Sequence, residues 1–91
     1  MTNNSRQTYT PFPITEIREL AKQFNAGAIE ECIELALQNR ENPCYSRGEQ
    51  EDIMNVLAKV NFVKVQMQRG LSLAQAMREL GKRMRVIQGE Q

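Results

Sequence analysis

Two heptad-spaced apolar stretches, separated by a short turn, constrain the fold of this 91-residue chain most strongly. The first stretch has apolar residues at steps of 3 and 4: Ile53, Val56, Val60, Val63 and Met67. The second stretch repeats this spacing: Leu73, Met77, Leu80, Met84 and Ile87. Ser46 and Glu49, at the start of the first stretch, have the spacing of a capping box, and so do Ser72 and Gln75 at the start of the second. Between the two stretches, Gly70 suits a helix C-terminus. The pattern predicts an antiparallel helical hairpin over about residues 47–69 and 72–87.

Two further helices are predicted upstream of the hairpin. One begins near Thr15, and its apolar face is Ile14, Ile17, Leu20, Ala21 and Phe24. The next runs from about 26 to 39, and its apolar face is Ile29, Cys32, Ile33, Ala36 and Leu37. The sequence Asn25-Ala26-Gly27 between them is either a turn or a kink. We therefore expect an all-α fold, a small bundle of three to four helices built on the hairpin.

The chain length predicts a single domain. Residues 1–12 are mostly polar and are expected to form a flexible arm, and residues 13–91 are expected to form one helical domain. No apolar run approaches the length of a membrane span, and the first residues lack the apolar core of a secretory signal. These observations predict a cytoplasmic protein without membrane contact.

The segment from Gly70 to Met84 could also be the first half of a DNA-binding helix-turn-helix, with the turn at Gly81. Only ten residues follow Gly81, which is too few for a recognition helix in the major groove. The apolar spacing also continues through Gly81 without a change of phase. We therefore favour a packing role, with Gly81 as a small residue where another helix approaches closely.

The chain contains no histidine, which removes the commonest general acid–base group and the commonest metal ligand. Cys32 and Cys44 form no C-x-x-C motif, so zinc-finger and thioredoxin signatures are absent. We interpret Cys32 as a small core residue and Cys44 as an exposed loop thiol. The glutamates of the second helix are interpreted as a solvated face rather than a cation site. We expect no enzymatic activity, no metal site and no cofactor.

Two surfaces are candidates for interaction. Arg78, Lys82 and Arg85 fall on one face of the last helix, with Glu79 placed to pair with nearby Arg83. This basic stripe is either a solvated face or a binding site for nucleic acid or an acidic protein. The third helix also has an apolar set outside its heptad seam: Met54, Leu57, Phe62 and Val65. A helix that is apolar on two sides is usually central to its bundle.

The sequence predicts a non-enzymatic helical module for protein–protein interaction, such as a small accessory subunit or adaptor. Its candidate surface is Arg78, Lys82, Arg85, Met54, Phe62 and Val65. The second side of the third helix is covered either by the first two helices or by another copy of the chain, so a homodimer built on the hairpin is expected. The methionine-rich core is either filler or an adaptable binding groove. The alternative function is nucleic-acid association through the basic stripe.

Overall fold

The computed structural model describes residues 14–87, in which the chain forms four α-helices and no strand. The helices are α1 (Ile14–Gln23), α2 (Ala26–Leu37), α3 (Gln50–Gln68) and α4 (Leu73–Ile87). This architecture confirms the predicted all-α bundle and its α3–α4 hairpin. The predicted arm over residues 1–12 lies outside the described residues.

Helix α3 is the centre of the bundle, because each of the other three helices packs against it. Its heptad residues Ile53, Val56, Val60 and Val63 are all buried. Helices α1 and α2 make no contact with each other, and neither do α2 and α4, within the described part of the chain. Helices α1 and α2 cover only part of the second side of α3, since Leu57 is buried and Met54 half-buried, whereas Phe62 is half-buried and Val65 is 39% exposed.

Local capping signals position both ends of the hairpin turn. Gly70 has φ +107°, and the amides of Gly70 and Leu71 donate to the carbonyls of Met67 and Gln66 at 3.0 and 3.2 Å. This is the Schellman arrangement, which satisfies the last carbonyls of a helix. At the start of α4, Ser72 and Gln75 form the predicted capping box, with reciprocal bonds of 2.9 and 3.1 Å. The turn therefore has the geometry that its sequence predicted.

Helix α3 begins at Gln50, three residues later than predicted, and Ser46 does not cap it. Gly48 has φ +87°, a left-handed conformation that interrupts a right-handed helix. The Asp52 carboxylate instead accepts a bond from the Glu49 amide at 2.9 Å and satisfies the first turn. The predicted Ser46–Glu49 capping box was therefore wrong.

Helix α2 begins at the Asn25-Ala26-Gly27 sequence, which is a turn and not a kink. The Asn25 Oδ1 atom caps the helix by accepting from the Ala28 amide at 2.8 Å. The helix ends at Leu37, two residues before the predicted end, because Asn39 takes a positive φ of 59° in a second Schellman-type turn.

Two predicted packing roles were wrong. Leu37 is 63% exposed, because α2 packs against α3 alone and its buried stripe is centred on Ile29, Cys32 and Ala36. Gly81 has no neighbouring helix at van der Waals distance, since the nearest atom to a Cβ built there is Arg85 Nη1 at 3.9 Å. A side chain at position 81 would therefore fit without displacing another helix.

Candidate functional site

An apolar surface depression lies between the two helices of the hairpin. It has a volume of about 390 Å³ and is lined by Asn55, Ala58, Lys59, Phe62, Leu80, Arg83 and Met84. Leu80 is buried and forms part of the core, whereas Phe62 and Met84 are half-buried. We call these seven residues the hairpin groove. Its shape and apolar lining suit the side chains of a docked helix.

A second, more polar depression of about 380 Å³ adjoins the hairpin groove and shares Phe62 and Arg83 with it. Its other lining residues are Gln66, Arg69, Glu79 and Lys82. The Arg83 guanidinium lies over the Phe62 ring, 5.3 Å from its centroid. Four cations line the two depressions that meet at Phe62: Lys59, Arg69, Lys82 and Arg83. The combined surface favours a ligand with apolar side chains flanked by carboxylates.

The structure brings only one residue of the predicted basic stripe to this surface. Arg78, Lys82 and Arg85 are all exposed on α4, but Lys82 alone lines one of the two depressions. Glu79 pairs with Lys82 at 3.3 Å and not with Arg83 as predicted, because Arg83 turns toward Phe62. Arg78 and Arg85 are exposed and line neither depression.

The predicted apolar residues of α3 also reach this surface only in part. Phe62 lies in the hairpin groove and Val65, which is 39% exposed, follows it by one helical turn. Met54 is half-buried against the core, together with Met67, Met77 and Met84. Met54, Met67 and Met77 therefore serve mainly as core residues. Sequence reasoning missed Lys59, Arg69 and Arg83 as residues of this site. Lys59 and Arg69 lie on α3 and at its C-terminus, three and seven positions from Phe62, and the antiparallel pairing of α3 and α4 brings Arg83 over the ring.

Cys32 and Cys44 form a disulfide, with their Cα atoms 6.2 Å apart. The interpretation of Cys44 as an exposed loop thiol was therefore wrong. The 38–49 loop folds back onto α2, and this return is a tertiary feature with no short motif. The only sequence signal was the pairing of one cysteine on an apolar helix face with a second in the loop that follows that helix.

The returning loop is held by polar bonds as well as by the disulfide. The buried Asn42 side chain donates to the Cys32 carbonyl at 2.7 Å and accepts from the Cys44 amide at 3.2 Å. Farther along, Tyr45 donates to Glu16 of α1 at 3.1 Å, and Arg47 forms an ion pair with the same carboxylate. Burial and the bond to Glu16 raise the pKa of the Tyr45 hydroxyl. The loop therefore joins α1 to α2, which do not touch directly.

The glutamates of α2 form an exposed face and no metal site. Glu30, Glu31 and Glu34 have no ion-pair partner in the described part of the chain. Over residues 14–87, no three acidic, cysteine or histidine side chains come together in a group that could hold a metal ion. The acidic residues at the start of α3 cap that helix instead.

Comparison with known protein families, with curated proteins and with solved structures finds no match to this chain. None of the four helices is long and apolar enough to cross a membrane.

Proposed function

We propose that this chain is a non-enzymatic protein-interaction module that binds an acidic, amphipathic helix in the hairpin groove. The observation that supports this proposal is the position of half-buried Phe62 at the junction of two depressions that are lined by four cations. A partly exposed aromatic ring in an apolar groove is a typical anchor point of a protein interface. The surrounding cations would select a partner with carboxylates beside its apolar side chains. The role is that of a small accessory subunit or adaptor.

Ala58 provides a variant that tests the groove without disturbing the core. It is exposed on α3 and lines the hairpin groove, so Ala58→Glu places a carboxylate on the apolar surface. Ala74→Glu is the matched control, since Ala74 is exposed on α4 and lines neither depression. Arg78→Glu combined with Arg85→Glu tests the alternative, nucleic-acid association through the basic stripe.

The experiment is affinity purification of tagged full-length chain from its native cells, which also contain the untagged chain, with and without nuclease. We expect a stoichiometric polypeptide to survive nuclease. A captured protein other than the untagged chain should be retained by A74E and by R78E/R85E and be lost with A58E. Wild-type protein that elutes alone overturns the proposal. Nucleic acid that is lost in R78E/R85E, with a steep salt dependence, overturns it in favour of the alternative.

The cytoplasmic location predicted from the sequence is opposed by the disulfide, because disulfides are rare in proteins of the reducing cytosol. Thiol trapping in intact cells measures whether Cys32 and Cys44 are reduced or oxidised, and so tests the predicted location. Acid quenching followed by a mass-adding alkylating reagent labels both cysteines of a reduced chain and neither cysteine of an oxidised one. Two adducts support the cytoplasmic location, and none supports an oxidising compartment.

A further inference from the structure

We propose that the helix that binds in the hairpin groove is α2 of a second copy of this chain. This inference rests on the proposed function and names its partner. Two observations support it. The outer face of α2 combines carboxylates with apolar side chains, which is the combination that the groove favours. Within one chain, this face and the groove lie apart from each other.

The outer face of α2 is an acidic and apolar stripe. Glu30, Ile33, Glu34 and Leu37 fall at positions i, i+3, i+4 and i+7, so they lie along one side of the helix. We call these four residues the α2 stripe. Both glutamates are exposed, Ile33 is half-buried and Leu37 is 63% exposed. This spacing of anchors is the one by which amphipathic helices dock into grooves.

Helices α2 and α4 carry net charges of opposite sign and equal size. Helix α2 carries three glutamates and no cation, a net charge of −3. Helix α4 carries four cations and one carboxylate, a net charge of +3. Because the two helices pack on α3 without touching each other, neither charge neutralises the other within one chain. Contact between two copies would pair Leu37 and Ile33 with Phe62 and the glutamates with the surrounding cations.

The contact joins different surfaces of the two copies, and each copy carries one groove and one stripe. The copies therefore either pair reciprocally in a closed two-fold dimer or add head to tail. A single helix stripe buries less than a standard interface of about 1,600 Å². The assembly is therefore weak and sensitive to salt.

Sedimentation velocity of the full-length, oxidised chain over a concentration series tests the inference. We expect oligomers to grow with concentration from tens of micromolar upward, and the apparent dissociation constant to rise about tenfold between low and high salt. Glu30→Lys combined with Glu34→Lys (E30K/E34K), and Lys82→Glu combined with Arg83→Glu (K82E/R83E), should each abolish association. The control E19K/E41K makes the same change in net charge as E30K/E34K outside both surfaces and should associate like the wild type.

Mixing the two monomeric variants gives the decisive result. The reversed stripe of E30K/E34K then meets the reversed groove of K82E/R83E, and the native stripe meets the native groove. We expect the mixture to recover association, which also shows that both variants are folded. A mixture that stays monomeric, or a wild type that stays monomeric throughout the series, overturns the inference.

Failure here is distinguishable from failure of the proposed function. A monomeric wild type that still captures a different protein, which A58E loses, overturns self-association and leaves the proposed function standing. A monomeric wild type that captures no protein overturns both.

Discussion

The Arg83 guanidinium of α4 lies over the ring of Phe62 on α3, with its Cζ atom 5.3 Å from the ring centroid. This contact joins the two helices of the hairpin at the point where its two surface depressions meet. It holds a cation beside the largest apolar side chain of the groove. The contact therefore places an apolar ring and a positive charge side by side, and the proposed function depends on both.

Replacement of Arg83 by alanine should lower the free energy of unfolding by about 0.5–1 kcal/mol, the usual contribution of an exposed cation–π pair. It should also uncover the Phe62 ring and raise the binding of an apolar fluorescent dye. Chemical denaturation and dye titration measure the two effects. Arg78→Ala is the control, since Arg78 is exposed and lines neither depression. Equal behaviour of the two variants would contradict the assignment.

The two glycines at positions 48 and 81 should respond to alanine in opposite directions. Gly81→Ala should stabilise the chain by about 1 kcal/mol, because it improves helix propensity in the middle of α4 and meets no other helix. Gly48→Ala should destabilise it by about 1–2 kcal/mol, because φ is +87° there. A new Cβ at position 48 would also lie 2.8 Å from Asp52 Oδ2, the atom that caps α3. Thermal and chemical denaturation measure both, and stabilisation by G48A would refute the description of the α3 start.

Reduction of the Cys32–Cys44 disulfide should lower the free energy of unfolding by about 3 kcal/mol, since it releases a loop closed across 12 positions in sequence. Denaturant titration with and without a dithiol reductant measures the change. The C32A/C44A variant is the control, because it lacks the crosslink and should show no effect of reductant. Identical curves for the wild type in the two conditions would show that the crosslink contributes nothing to stability.

Tyr45 should make the fold sensitive to alkaline pH. Burial and the bond to Glu16 raise its pKa above the ordinary value of 10.0. Because the folded state holds this proton more tightly than the unfolded state, its stabilising effect is complete below pH 10.0 and is lost as pH rises through the folded-state pKa. Absorbance titration of tyrosinate should show one late-titrating group that is missing in Tyr45→Phe. A tyrosine that is lost in Tyr45→Phe but titrates at the ordinary value of 10.0 would contradict this assignment.

The helices and the hairpin turn were predictable, because the signals that set them are local. Heptad spacing, Gly70 and the Ser72–Gln75 pair each act within a few residues of the structure that they determine. The start of α3 was less predictable. The spacing of Ser46 and Glu49 predicts a cap there, but Gly48 takes a positive φ and Asp52 caps the helix instead.

The features that the sequence did not reveal depend on tertiary packing. The disulfide requires the 38–49 loop to return to α2, and the exposure of Leu37 follows from α2 having a single neighbour. The groove residues Lys59 and Arg83 are far apart in sequence and meet only through the register of α3 and α4. The basic stripe is visible in the sequence of α4 alone, whereas the hairpin groove is formed only when α3 and α4 pack together.

The most direct test of the proposed function is site-specific photo-crosslinking from position 58 in the native cells, with position 74 as the matched control. A photoreactive amino acid at position 58 lies on the groove wall, whereas one at position 74 lies on exposed α4 surface outside it. We predict a discrete polypeptide adduct from position 58 that survives nuclease and is absent from position 74. An adduct to nucleic acid from position 58, or the same products from both positions, would contradict the assignment of the hairpin groove as a protein-binding site.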